Sequence, residues 1–98
     1  MTPLTFRLTF ADKETEKFFR RAFSRKLTQN VQPTARMKLE ILDAAEVLQD
    51  LRIPPDNRLE KFPGDREGQH CIRINDQWRI GFVWRQENAY DVEIADYQ

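Results

Sequence analysis

The stretch Gln69-His70-Cys71-Ile72-Arg73-Ile74-Asn75-Asp76-Gln77-Trp78-Arg79-Ile80-Gly81-Phe82-Val83-Trp84 decides the fold. It alternates apolar with polar residues on either side of a polar break, the mark of a β-hairpin with one buried face. Ile72 and Ile74 mark that face on the first arm; Trp78, Ile80, Phe82 and Trp84 mark it on the second. Successive side chains point to opposite faces, so the two sets share a face only if the loop holds an odd number of residues. Asn75-Asp76-Gln77 is such a loop, with Asn and Asp able to adopt left-handed geometry. Ile74 then pairs with Trp78 and Arg73 with Arg79. That register places two guanidinium groups side by side on the face away from the apolar one. Like charges directly opposite in a sheet repel, so the arrangement calls for a carboxylate, solvent or a bound anion. Either Asp91 or Glu93 pairs with them across the sheet, or the pair awaits a phosphate.

Before the hairpin, Arg58-Leu59-Glu60-Lys61-Phe62 reads as a short strand, and residues 63–68 as a turn-rich loop. After it, Gln86-Glu87-Asn88-Ala89 forms the next turn, and Tyr90, Val92 and Ile94 alternate with polar residues as a last strand. At the other end of the chain, Leu4, Phe6 and Leu8 alternate with Thr5, Arg7 and Thr9 as a first strand. Asp12 caps a helix predicted to run to about Arg25 or Leu27, with Glu14 and Glu16 in the turn where the helix dipole favours negative charge. Phe19, Phe23 and Leu27 form its apolar stripe, widened by Phe18 and Ala22. Arg20, Arg21, Arg25 and Lys26 either complement the C-terminal end of the dipole or offer a basic edge to a nucleic-acid backbone.

A second helix opens at Pro33 or Thr34 after the polar connector Thr28–Gln32. Its expected apolar side is Met37, Ile41, Ala44, Ala45, Leu48 and Leu51, and its expected stop is Pro54-Pro55. The short connector predicts an antiparallel helical pair laid on the apolar face of the sheet, leaving the other face open. The fold class is therefore α+β: an N-terminal strand, two helices, then a twisted antiparallel sheet of about four strands.

The chain's 98 residues fit one domain, residues 1–98, and 40% hydrophobic content with seven Phe and two Trp suffices for one core. The formal net charge is zero, but residues 1–53 carry +3 and residues 54–98 carry −3. Global charge thus neither supports nor excludes RNA, and local placement decides. One Cys and one His rule out an internal disulfide, a cysteine-rich zinc site and a multi-histidine metal site. No apolar run approaches the length of a membrane span and no signal-like h-region begins the sequence, so a cytoplasmic location is expected.

Asn57-Arg58-Leu59, Gly64-Asp65-Arg66-Glu67-Gly68, Ile72-Arg73-Ile74-Asn75, Gln77-Trp78-Arg79-Ile80 and Val92-Glu93-Ile94-Ala95-Asp96-Tyr97 together resemble HigB-type toxins of the RelE/ParE superfamily. The likeness covers the whole chain in size and element order and is specific in roughly its last 40 residues. It implies a RelE-like fold and an endoribonuclease that cuts messenger RNA in the ribosomal decoding site. The 2′-hydroxyl attacks the adjacent phosphorus and expels the 5′-oxygen, which requires charge stabilisation and two proton transfers but no metal or other cofactor. The implied partners are the ribosome, messenger RNA and a helix-turn-helix antitoxin of the HigA type, through which operator DNA is reached; no membrane is involved.

By the same resemblance Arg79 stabilises the transition-state phosphate, with Arg73 beside it, and Asp96 and Tyr97 match the start of the family's usual Asp-Tyr-His ending. Gln98 occupies the position of that His and cannot carry a proton; it remains a candidate RNA contact together with Arg58, Lys61 and Arg66. Glu60 stands where some members have His and others Glu, and is a candidate base. Pro63 lies where some members place Lys. An attenuated homologue that binds antitoxin and regulates its operon is the alternative reading, and a ParE-like gyrase inhibitor a further one, opposed by the Gln-Trp-Arg and Asp-Tyr matches. His70 is expected as an edge-of-core histidine and Cys71 as an incidental thiol on the open face.

Overall fold

The computed structural model describes residues 8–20, 27–61 and 68–96. Strand β1 (Leu8–Phe10) leads into helix α1 (Lys13–Phe19), and helix α2 (Gln32–Ala44) is followed by two 3-10 turns at Leu48–Arg52 and Pro55–Asn57. Strands β2 (Glu60–Lys61), β3 (Gln69–Arg73), β4 (Trp78–Arg85) and β5 (Asn88–Asp96) complete the chain. The sheet order is β1-β5-β4-β3-β2. The four later strands are antiparallel to one another as expected. The N-terminal strand joins them at the edge, parallel to β5, so the sheet is mixed and five-stranded.

Asp12 caps α1 as its sequence position predicts: its Oδ1 accepts from the Thr15 backbone N–H at 2.6 Å. Thr15 in turn closes a gap in the sheet. Beyond Phe10 no β1 residue is left to pair with β5, and the Ile94 N–H donates to Thr15 Oγ1 at 3.2 Å instead. Phe18, rather than Phe19, is the deeply buried ring of α1, while Phe19 packs at the margin against Phe10. Arg20 pairs with Glu16 at 3.3 Å. Leu27 is buried but lies in a bend, not in the helix. Arg21, Phe23, Arg25 and Lys26, like Leu4 and Phe6, lie outside the described residues.

The apolar side expected for α2 is corrected by the structure. Ala35, Lys38, Leu39 and Leu42 form the buried arc, at the i, i+3, i+4, i+7 spacing of one helix face, while Met37 and Ala44 face outward and Ile41 is only half-buried. The arc can include a lysine because Lys38, only 1% exposed, finds two oxygens. Its ammonium donates to Asn57 Oδ1 and pairs with Asp56 Oδ1 at 3.1 Å. The helix also ends at Ala44, well before Pro54. Ala45 has extended geometry (ψ 130°), and the Asp50 carboxylate accepts from the Glu46 and Val47 N–H groups at 3.0 and 3.2 Å, which starts a new turn.

The core unites Phe18, Ala35, Leu39, Leu42 and Leu51 with Ile72, Ile80, Phe82, Val92 and Ile94 from one face of the sheet. The last strand departs from simple alternation. Gly81 pairs with Glu93 but Val83 with Tyr90, and Leu8 pairs with Ala89 but Phe10 with Val92, so β5 carries one extra residue relative to both neighbours. Asp91, at φ +53°, is the left-handed residue of that bulge. As a result Ala89, not Tyr90, takes the core position next to Val92. The β4–β5 connection is also tighter than expected. Gln86 and Glu87 both have positive φ, the geometry of a two-residue hairpin turn, and Arg85 pairs directly with Asn88. No helix among the described residues is long and apolar enough to cross a membrane.

Candidate functional site

The hairpin register follows from its loop. Asn75 Oδ1 accepts from the backbone N–H groups of Gln77 (2.9 Å) and Trp78 (2.7 Å), closing a turn on its own side chain. The N–H of Ile74 donates to the Trp78 carbonyl at 2.9 Å, and Ile72 pairs with Ile80 and Arg73 with Arg79. The two arginines therefore do stand opposite one another on the face away from the helices.

Their repulsion is relieved by carboxylates other than the two expected. Arg73 turns toward the hairpin tip and pairs with Asp76. Arg79 extends the other way, over Cys71 at 3.8 Å, and places Nη1 2.6 Å from Glu60 Oε1. Asp91 and Glu93 take neither role. Glu60 can be reached because β2 pairs with β3 in a register that sets Glu60 against Cys71, on the arginine face. Cys71 itself is fully buried, and burial pushes its thiol pKa up against the opposing pull of the Arg79 guanidinium. It forms the floor beneath Arg79, protonated and shielded. His70 sits on the other face with its ring stacked on Phe82 (6.2 Å between centroids) and Nδ1 3.1 Å from the Gly68 carbonyl, an edge-of-core position.

The remaining candidates are more dispersed. Asp96 pairs in register with Trp78, on the side of the sheet opposite Arg79, and its Oδ2 accepts from Gln77 Nε2 at 3.1 Å. Lys61 pairs with His70 and is exposed at the sheet edge, also off the arginine face. Arg58 is exposed, in left-handed geometry (φ +46°), where the 3-10 turn at Pro55–Asn57 gives way to β2. Arg66, Tyr97 and Gln98 lie outside the described residues. The structure thus brings Arg73, Arg79 and Glu60 onto one face.

Sequence reasoning missed the residue that anchors this arrangement. Asn57 is completely buried: its Nδ2 donates to the carbonyls of Leu51 (3.1 Å) and Ile53 (3.3 Å) while its Oδ1 takes the Lys38 ammonium. One side chain thereby ties α2 to both 3-10 turns just ahead of the strand that carries Glu60. The signal was a Lys at the centre of an apolar helical arc, which demands a buried polar partner elsewhere. Among the described residues no group of three or more His, Cys, Asp or Glu is placed to hold a metal ion.

Residues 8–98 match the family model described as the RelE-like toxin of type II toxin–antitoxin system HigB. The chain is 42% identical over 78 residues to a protein named Toxin HigB-1 of Vibrio cholerae, covering 79% of this chain and 82% of that one. It is 32% identical over 63 residues to an uncharacterized protein of Haemophilus influenzae, covering 64% of this chain and 60% of that one.

Proposed function

The chain belongs to the HigB family of RelE-like toxins of type II toxin–antitoxin systems, and from that premise we propose that it is a metal-independent, ribosome-dependent endoribonuclease acting on messenger RNA. The family implies an antitoxin partner; a helix-turn-helix protein of the HigA type, acting on operator DNA, is the form proposed here. A single toxin domain over residues 1–98, working in the cytoplasm, completes the proposal.

The observation that carries it is the Arg79–Glu60 pair, a cation and a carboxylate 2.6 Å apart on the helix-free face of the sheet. A phosphate reaching Arg79 competes with Glu60 for the guanidinium. As Arg79 turns to the phosphate oxygens, Glu60 is left beside the substrate as an acceptor for the 2′-hydroxyl proton. The 2′-oxygen then bonds to phosphorus, Arg79 and Arg73 stabilise the added negative charge, and the bond from phosphorus to the 5′-oxygen breaks. The leaving oxygen needs a proton, and Tyr97 is the proposed donor, with Asp96 orienting the chain end. Arg58, Lys61, Arg66 and Gln98 are proposed contacts to the RNA, of which the arginines and Lys61 supply sequence-independent phosphate attraction.

Gln98 favours a second reading, a catalytically attenuated homologue that chiefly binds antitoxin and regulates its operon, because the amide supplies no titratable proton. Translation of a defined message with purified components tests the first reading. Cuts confined to translated codons are expected, lost in Arg79→Ala. An intact message at excess toxin would leave the second reading in possession.

A further inference from the structure

Arg73 and Arg79 face one another in register, which sets their Cβ atoms about 5 Å apart. Their guanidinium groups nevertheless point in opposite directions. Arg73 Nη2 donates to Asp76 Oδ1 at the hairpin tip, while Arg79 Nη1 is drawn away from the tip to Glu60, which stands level with Cys71. Each arginine thus rests on its own carboxylate, and the two pairs keep the like charges apart. The carboxylates are not equivalent. Side-chain exposure is 97% for Asp76 and 49% for Glu60, against 25% for Arg73 and 15% for Arg79. A carboxylate as hydrated as Asp76 gains little from an ion pair and loses little on leaving it. Arg73, three-quarters withdrawn from water, still needs an anion. The hairpin turn is closed by Asn75 Oδ1 on the Gln77 and Trp78 N–H groups, not by the Asp76 side chain.

Resting on the endoribonuclease reading above, we propose that Asp76 is a positioning residue, a latch that holds Arg73 apart from Arg79 until a phosphate of the RNA displaces it. Freed from the tip, Arg73 swings back toward Arg79, and the two guanidinium groups close on the same phosphate, each with a planar fork that matches its oxygens. Displacement starts at the weaker pair. Arg73 is released first, and the arriving anion then competes with the less hydrated Glu60 for Arg79. Glu60, the acceptor assigned to the 2′-hydroxyl proton, is thereby uncovered only once a phosphate is already held. Asp76 touches no reacting atom; it acts through Arg73.

Fluorescence anisotropy with a short single-stranded 2′-O-methyl RNA, which lacks the attacking hydroxyl and is not cut, tests this on the full chain without requiring cleavage. Asp76→Asn should tighten binding by about twofold to fivefold, the scale of an exposed ion pair, and Arg73→Gln should weaken it. In the Arg73→Gln background Asp76→Asn should change nothing, because the latch has lost what it holds. By NMR, the Arg73 Nε–H signal of free Asp76→Asn should be displaced from its wild-type position toward the RNA-bound one. Equal tightening with and without Arg73 would reduce Asp76 to a general negative charge and overturn the proposal. Unchanged affinity, an unmoved Arg73 signal, or no binding by any form at millimolar RNA would overturn it as well. Coupling between positions 73 and 76 in a protein that cuts no message upholds the latch and defeats the nuclease reading. Codon-linked cutting without that coupling does the reverse.

Discussion

Arg79 and Glu60 meet across nineteen positions of sequence, with 2.6 Å between Nη1 and Oε1 and the Cys71 thiol beneath them. The pairing keeps the guanidinium on the open face, and a phosphate that displaces the carboxylate meets a charge already stationed there. Arg79→Lys keeps the charge but loses the planar fork, so message cleavage should fall by about 10²-fold to 10³-fold. Primer extension on a translated message measures it, and an undiminished rate would remove Arg79 from the chemistry.

Glu60→Gln separates a proton acceptor from a mere holder of Arg79. The amide can still bond the guanidinium, so loss of a general base should cost about 10²-fold to 10⁴-fold in rate while the protein binds stalled ribosomes as before. A parallel drop in binding and rate would instead assign Glu60 to positioning.

Gln98→His restores a proton carrier at the chain end. If the proposed mechanism operates, cleavage should rise, by up to about 10²-fold to 10⁴-fold, and acquire a pH dependence near neutrality. A silent His variant, in a protein that still binds its antitoxin, points to the regulatory reading.

The buried Lys38 ammonium makes Asn57 and Asp56 unequal partners. Asp56 is 69% exposed at its side chain, so Asp56→Ala should cost less than about 1 kcal/mol. Asn57→Ala strips the ammonium of its buried oxygen and orphans two carbonyls, and should cost about 3–5 kcal/mol. Urea denaturation of the two variants decides, and equal midpoints would contradict the asymmetry.

Cys71 should resist thiol reagents in the native state and react freely in urea. Burial raises its folded pKa above the ordinary 9.0, so the folded form holds the proton more tightly than the unfolded one. The resulting stabilisation is complete below about pH 9 and is lost as pH rises through the folded value. Cys71→Ser should therefore flatten the alkaline limb of the stability profile, and rapid labelling of native protein at pH 8 would refute the buried thiol.

The hairpin was legible because parity calls for an odd loop and Asn75-Asp76-Gln77 supplies one, which sets Arg73 against Arg79. The Asp12 cap was legible for an equally local reason. What escaped depends on partners distant in sequence. Nothing near Lys38 announces Asn57, so the α2 arc was placed one step around the helix, on Met37 and Ile41. Asp50 ended that helix from six residues beyond its last turn. The bulge at Asp91 uses no glycine, and Tyr90 therefore read as a core residue. At the site, resemblance pointed to Glu60 and Arg79 separately, but only the β2–β3 register joins them, and the β4–β5 register sets Asp96 on the other side of the sheet.

The extra residue in β5 is shared by both neighbouring strands, so it acts as a phase shifter for half the sheet. Deleting Asp91 would leave Glu93 against Gly81, Tyr90 against Val83 and Ala89 against Trp84, whereas straightening the strand with Asp91 retained would bring Tyr90 to the core position opposite Trp84. In comparing relatives, a one-residue gap at Asp91 should count as loss of the bulge alone, and a gap elsewhere in this strand as a change of interior.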